Sequence, residues 1–174
     1  MDNLMTALLH WAIVLTGYPT PPHVPVAQMV PHAFLVEHAC GGRECKVFGW
    51  YEGKDVVYLD DRFDPANDLF AASVVVHELT HYLQAASGLD GSTQGGGPAP
   101  AGWHFVDCDL TMALEREAYA AQQAFLVRYG VYRPVGVSMH EAGCESSHAV
   151  RQADGEEPPG RAQAPSAAAL PSQP

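Results

Sequence analysis

The sequence predicts an α+β fold in which a small antiparallel sheet packs on two long helices, and three observations predict it. The segments 46–51 and 55–59 are rich in β-branched and aromatic residues, and the Glu52-Gly53-Lys54 link between them has hairpin character. Two long helical segments follow, one opened by Asp64-Pro65 and closed by Gly88, the other running from about Asp107 to Tyr129 and closed by Gly130. A length of 174 residues with 47% hydrophobic and 17% charged content fits one globular domain able to bury a core.

Taken in chain order, residues 4–18 form an apolar run. They lack the positive leader of a signal peptide, carrying Asp2 instead, and about 15 residues are short for a bilayer span. The run reads as a mostly buried first helix with Asn3, Thr6 and His10 on a polar stripe and Gly17 near its end, an export signal staying open as the alternative. Residues 19–31 are punctuated by proline, and Val24, Val26, Met29 and Val30 can make a short edge strand. Residues 88–102 are rich in Gly, Ser and Pro and read as a loop beside whatever the preceding helix carries. Residues 1–150 are read as the domain. Beyond about Arg151 the composition turns to Gly, Pro, Ala, Gln and Ser, so 151–174 is expected to be a disordered tail.

The net charge of −11, from 20 acidic against 9 basic residues, opposes the phosphate backbone, and no basic cluster counters it, so nucleic acid is not an expected partner. No membrane span is expected either. Cys40 and Cys45 can close a short disulfide loop, and Cys108 and Cys144 a long-range one; with no second close pair of ligands, disulfides or buried thiols fit better than an all-cysteine zinc site. Cytoplasmic and exported locations both stay open on this evidence.

The chemistry concentrates in His77-Glu78-Leu79-Thr80-His81, deep inside the first long helix. Residues four apart share a helix face, so both imidazoles can reach one metal ion, while Glu78 is offset around the helix and can take a proton from a water at the metal. With 9 histidines in the chain, random order would produce this spacing about once in 40 such sequences. A third ligand must come from elsewhere. The segment downstream carries Gln84 and Ser87 where a Gly and a third histidine would complete the longer HExxHxxGxxH pattern, which points to a carboxylate. Glu115 and Glu117 in the second long helix both qualify, but they lie about 200° apart around the helix and cannot face the same ion. Glu115, Tyr119 and Gln122 share one stripe.

With those residues in view, the chain resembles the gluzincins, zinc peptidases that carry HExxH on one helix and a glutamate on a later one, often as Glu-x-x-Ala. His77, Glu78 and His81 match the first motif, and Glu115 with Ala118 the second; Glu117 with Ala120 has the same spacing and is the runner-up. The run His-Glu-Leu-Thr-His-Tyr-Leu-Gln is also similar to one in small bacterial proteins, which implies no substrate. The gluzincin resemblance covers residues 45 to 130 and implies a zincin-like fold, a zinc ion held by His77, His81 and Glu115, Glu78 as the catalytic base, and a peptide or protein substrate. Where such families often carry Asp or Asn, four residues after Glu115, this chain has Tyr119, so the orienting partner of a ligand histidine is sought at Asp107, Asp109 or a backbone carbonyl, while Gln84, one turn past His81 on the same face, reads either as lining the cleft or as a plain polar residue near the helix end. His104, Tyr119 and Tyr132 are the candidates for stabilising an oxyanion. Residues 55–59 are expected to run beside the cleft and pair with an extended substrate. The alternatives are a zinc-binding but catalytically inactive interaction domain of the same fold, and a domain whose histidines are only core residues.

Overall fold

A computed structural model describes residues 1–89 and 108–137, all within one compact unit. The elements in order are α1 (Asp2–Thr16), β1 (Val26–Val30), α2 (His32–Ala39), β2 (Gly49–Tyr51), β3 (Val56–Asp60), α3 (Leu69–Ala86) and α4 (Cys108–Arg128). The architecture is α+β, as expected. The expected tail at 151–174, and all but Gly88 and Leu89 of the expected loop at 88–102, lie outside the described residues.

Helix α3 is the centre. Every residue from Ala71 to Gln84 except His81 is buried, because α1 and α4 pack on it from one side and β2 and β3 from the other. A helix buried on every face occupies the interior of the fold, and the polar groups it carries there, among them His77, Glu78, Thr80 and Gln84, need partners. Val75, Val76, Leu79 and Leu83 are fully enclosed with Val57 of β3 and Phe125 of α4. Helix α1 adds Met5, Leu8, Leu9 and Ala12 to this core, leaves Asn3, Thr6 and His10 exposed, and ends at Gly17 in the left-handed conformation at φ 79°. Trp11 closes α1 onto α4 by edge contacts with Phe125 and Tyr129, each at 5.9 Å between ring centres.

The start of α3 falls four residues later than expected. Asp68, not Asp64, caps it, its carboxylate accepting from the backbone N–H groups of Phe70 and Ala71. Asp64 instead builds the turn before it, accepting from the N–H of Ala66 and the side-chain amide of Asn67. Both aspartates are N-cap residues by type, and only packing decides between them. The other helix end is as expected, with Gly88 at φ 73° just past it.

The sheet is three-stranded with order β1-β3-β2, and it is mixed rather than purely antiparallel. The hairpin pair β2 and β3 is antiparallel, Trp50 opposite Tyr58, but β1 lies parallel to β3 with Val26 opposite Val56. A parallel partner leaves no local signal because the connection that brings it there is long. Helix α2, which the sequence reading left out, lies in that connection. It covers the sheet face away from α3, where Phe34 and His38 meet Tyr58 and Trp50 at centroid distances of 4.1–5.8 Å along that chain of rings. Alternation sends Val57 and Leu59 to α3 and Tyr58 to α2. The start of α2 is tied to the end of β3 by His32 on the fully buried Asp60, whose carboxyl is held below its usual range chiefly by Arg62.

Cys40 and Cys45 form a disulfide closing the loop between α2 and β2. Cys108 is also disulfide-bonded, and Cys144 lies outside the described residues. No helix among the described residues is long and apolar enough to cross a membrane.

Candidate metal centre and its cleft

Four turns of α3 carry a stripe, Phe70, Val74, His77 and His81, that forms the floor of an open cleft of ≈ 640 Å³. β2 and the chain before it line one side of the cleft, and α4 with residues 133–136 the other. Glu115, Tyr119 and Gln122, the stripe read from the sequence of α4, all line it.

At the centre three side chains converge. The Nε2 atoms of His77 and His81 lie 3.1 Å apart, and the Glu115 carboxylate places one oxygen 3.5 Å from the first and the other 3.4 Å from the second. Each residue offers one ligand atom, and together they could hold a metal ion. Glu117 is turned away, as its position around the helix requires. It accepts hydrogen bonds from the Tyr18 hydroxyl at 2.7 Å and the Gln84 amide at 2.9 Å.

Gln84 lines the cleft, and it also orients a histidine, a role the sequence reading assigned to Asp107, Asp109 or a backbone carbonyl. Its amide nitrogen donates to the Leu114 carbonyl and to Glu117, so its oxygen must face the other way, where it accepts from Nδ1 of His81 at 2.8 Å. In the neutral ring this fixes the proton on Nδ1 and leaves the Nε2 lone pair aimed at the site. Asp109 is exposed at the start of α4 and Asp107 lies outside the described residues. His77 has no such partner among the described residues, its Nδ1 being buried without a hydrogen bond.

Electrostatics reinforce the convergence. Burial opposes charge on His81, but the hydrogen bond and charge of Glu115, with Glu78 behind them, outweigh it and raise its pKa to about 9. Burial likewise pushes the Glu115 carboxyl up, and the hydrogen bonds from His77 and His81 overcome it and hold the group well below the usual carboxylate range. Glu78 goes the other way. Its side chain is buried beneath β2, and desolvation raises its pKa against the opposing pull of His77, His81 and the Tyr51 backbone N–H that donates to it.

Of the three candidates for an oxyanion partner, the structure brings one to the site. The Tyr119 ring packs edge-on to His77 at 4.4 Å, and burial followed by the charges of Glu115 and Glu78 raises its pKa, so the hydroxyl stays a donor. Tyr132 is 79% exposed and does not line the cleft, and His104 lies outside the described residues. Gly136, at φ 64°, lies so close over Tyr119 that a Cβ there would fall 2.3 Å from the ring, which seats residues 133–136 on α4.

The expectation that residues 55–59 border the cleft is corrected by the sheet order. β3 is the central strand with both edges paired, whereas β2 is the edge strand that lines the cleft. Gly49 of β2 was not singled out from the sequence, yet a Cβ there would lie 2.8 Å from Cγ of Glu78 and 3.0 Å from Cγ1 of Val74. Only glycine lets β2 sit this close to the helix. Gly49→Ala is therefore expected to lower stability by about 1–3 kcal/mol, the usual cost of overpacking, and to displace the Glu78 carboxylate. Denaturant unfolding checks the first effect; a variant as stable as the parent would show that β2 moves freely. No protein family, curated protein or solved structure matches the chain.

Proposed function

We propose that the chain is a zinc-dependent hydrolase, a metallopeptidase of the gluzincin plan with a zincin-like fold, in which His77, His81 and Glu115 hold the metal and Glu78 is the catalytic base. One observation carries the reading. The two imidazole Nε2 atoms lie 3.1 Å apart, each is within 3.5 Å of an oxygen of the Glu115 carboxylate, and one ligand atom from each of the three residues lies within 4.8 Å of the others, close enough for one ion to meet all three. Two imidazoles and one carboxylate, with an open cleft in front, are the donor set of a catalytic rather than a structural zinc site.

When bound, zinc would supply Lewis acidity, polarising a carbonyl and acidifying a water. The chain's own residues do the rest. Glu78, a carboxylate lifted toward neutrality by burial, takes the proton of the attacking water and passes it to the leaving amine. Gln84 holds the His81 ring in the orientation and tautomer a ligand needs. Tyr119, protonated and beside His77, is placed to donate to the oxygen of the tetrahedral intermediate. β2 offers the outward backbone of Gly49 to an extended peptide; the Phe48 carbonyl, one residue earlier, is turned inward to the Asp60 N–H of the neighbouring strand.

Metal content tests the ligand set. Elemental analysis of chain purified without chelator is expected to find about one zinc per protein, lost in His81→Ala and Glu115→Gln and kept in Glu117→Gln. Zinc retained by Glu115→Gln would move the third ligand elsewhere, and none in the parent would leave the histidine pair as a core feature.

A further inference from the structure

The cleft carries a positive end that the proposed chemistry does not use. Arg133 lines it with its guanidinium 4.7 Å above the Phe70 ring centre, and Lys46 lines it from the sheet side. Both are exposed, and neither is in an ion pair with a described residue; Lys54 and Arg62 are each paired to an acid, and Arg43 and Arg128, also outside any such pair, do not line the cleft. In a chain of net charge −11, these two give the cleft a local positive charge. Arg133 is also held in place. The N–H of Val135 donates to the Gln123 side chain at 3.1 Å, Gly136 is seated on Tyr119, and the Phe70 face supports the guanidinium while leaving its edges open.

The geometry gives this end a place along a bound chain. Phe70 lies seven residues before His77 on the same helix face, about 10 Å along the axis, which an extended peptide covers in about three residues. Direction follows from β2. Phe48, just before it, packs on Phe70, Gly49 lies against Val74 and Glu78, and Tyr51 meets Tyr82, so β2 runs the same way as α3. A peptide added antiparallel to β2, the commoner pairing, runs toward Phe70 and carries its C-terminal part to Arg133.

We propose that Arg133, stacked on Phe70, is a substrate-binding residue that receives a carboxylate of the bound peptide about three residues beyond the bond to be cleaved. This rests on the peptidase reading of the site. The planar guanidinium suits a carboxylate bidentately, and either the terminal carboxylate of a short peptide or an acidic side chain presents that group.

Binding to the full-length chain tests the proposal without requiring turnover. The probes are dye-labelled neutral hexapeptides ending in a free carboxylate, their C-terminal amides, and amides carrying one Glu near the C-terminus, measured by fluorescence anisotropy. The parent is expected to prefer the free acid over the amide roughly tenfold, less at high ionic strength. Arg133→Ala is expected to abolish the preference and Arg133→Lys to keep part of it, with melting temperatures confirming that both variants fold. Rescue of the amide by the internal Glu assigns the site to acidic side chains, and no rescue assigns it to chain termini. Equal binding of acid and amide by the parent, including no binding of either, overturns the proposal, as does a preference unchanged in Arg133→Ala. Cleavage of the peptides without an acid preference would retire the Arg133 site alone, and an Arg133-dependent preference without cleavage would retire the peptidase reading alone.

Discussion

Glu78→Gln is expected to lower the turnover of a cleaved peptide by about 10²–10⁴-fold, the range general-base catalysis supplies, while zinc content stays at the parental value. The substitution is nearly isosteric. Glutamine fills the buried space under Gly49, and its carbonyl oxygen can still accept the Tyr51 N–H that reaches Glu78. What it loses is the capacity to take a proton. The stability sign differs from the usual carboxylate case: burial raises the Glu78 pKa, so ionising this group costs stability above its unfolded pKa of 4.5 and the cost disappears as the pH falls below it. The metal-free Gln variant should therefore melt at or above the parental temperature at neutral pH. Peptidase kinetics, elemental analysis and melting on the same samples check the three expectations. A fully active variant would remove Glu78 from the mechanism, and an inactive variant without zinc would make its role structural.

Much of this site is legible in the sequence because its parts are local. His77 and His81 are one turn apart, and a helix places them on one face wherever it sits in the fold. The choice between Glu115 and Glu117 is half local. Helix geometry separates them by about 200°, but which one meets the histidines depends on how α4 lies on α3, and that is written in Ala118, Ala121 and Phe125 packing into the core. The same limit explains the rest. β1 pairs in parallel with β3 across a connection containing a helix and another strand, so nothing near Val26 in sequence announces Val56 as its partner. α2 is short and its His32–Asp60 tie is made across 28 residues. Gly49 reads in the sequence as an ordinary strand glycine, and the place of Gln84 one turn past His81 suggests the cleft but not the hydrogen bonds it makes; both acquire their roles only when β2 and α4 close over α3. Arg133 follows the last helix, where one cation carries no message until it is found on Phe70.

Zinc affinity is expected to weaken about tenfold for each pH unit lost between pH 8 and 6, about 100-fold in all, because binding must displace one proton from the site. That proton belongs to His81. In the metal-free chain Glu115 draws its pKa up to about 9 despite burial, so the ring is protonated through neutral pH and its lone pair is not available to an ion. Glu115, held well below its usual range by the two histidines, stays ionised over the whole interval and contributes no slope there. The raised His81 pKa stabilises the metal-free fold fully below the unfolded value of 6.5 and loses that contribution as the pH rises through 9, and the lowered Glu115 pKa contributes fully above 4.5 and is lost as the pH falls further. The metal-free chain is thus best supported by this pair between pH 4.5 and 6.5, whereas the zinc-loaded chain gains as the proton leaves. Titration calorimetry in buffers of different ionisation enthalpy measures the proton released per zinc, and competition with a chelator measures the slope. Gln84→Leu, which removes the acceptor on Nδ1 of His81, should weaken zinc about 10–100-fold, as loss of a group that orients a metal ligand does. A pH-independent affinity would mean that the ion is not held by His81.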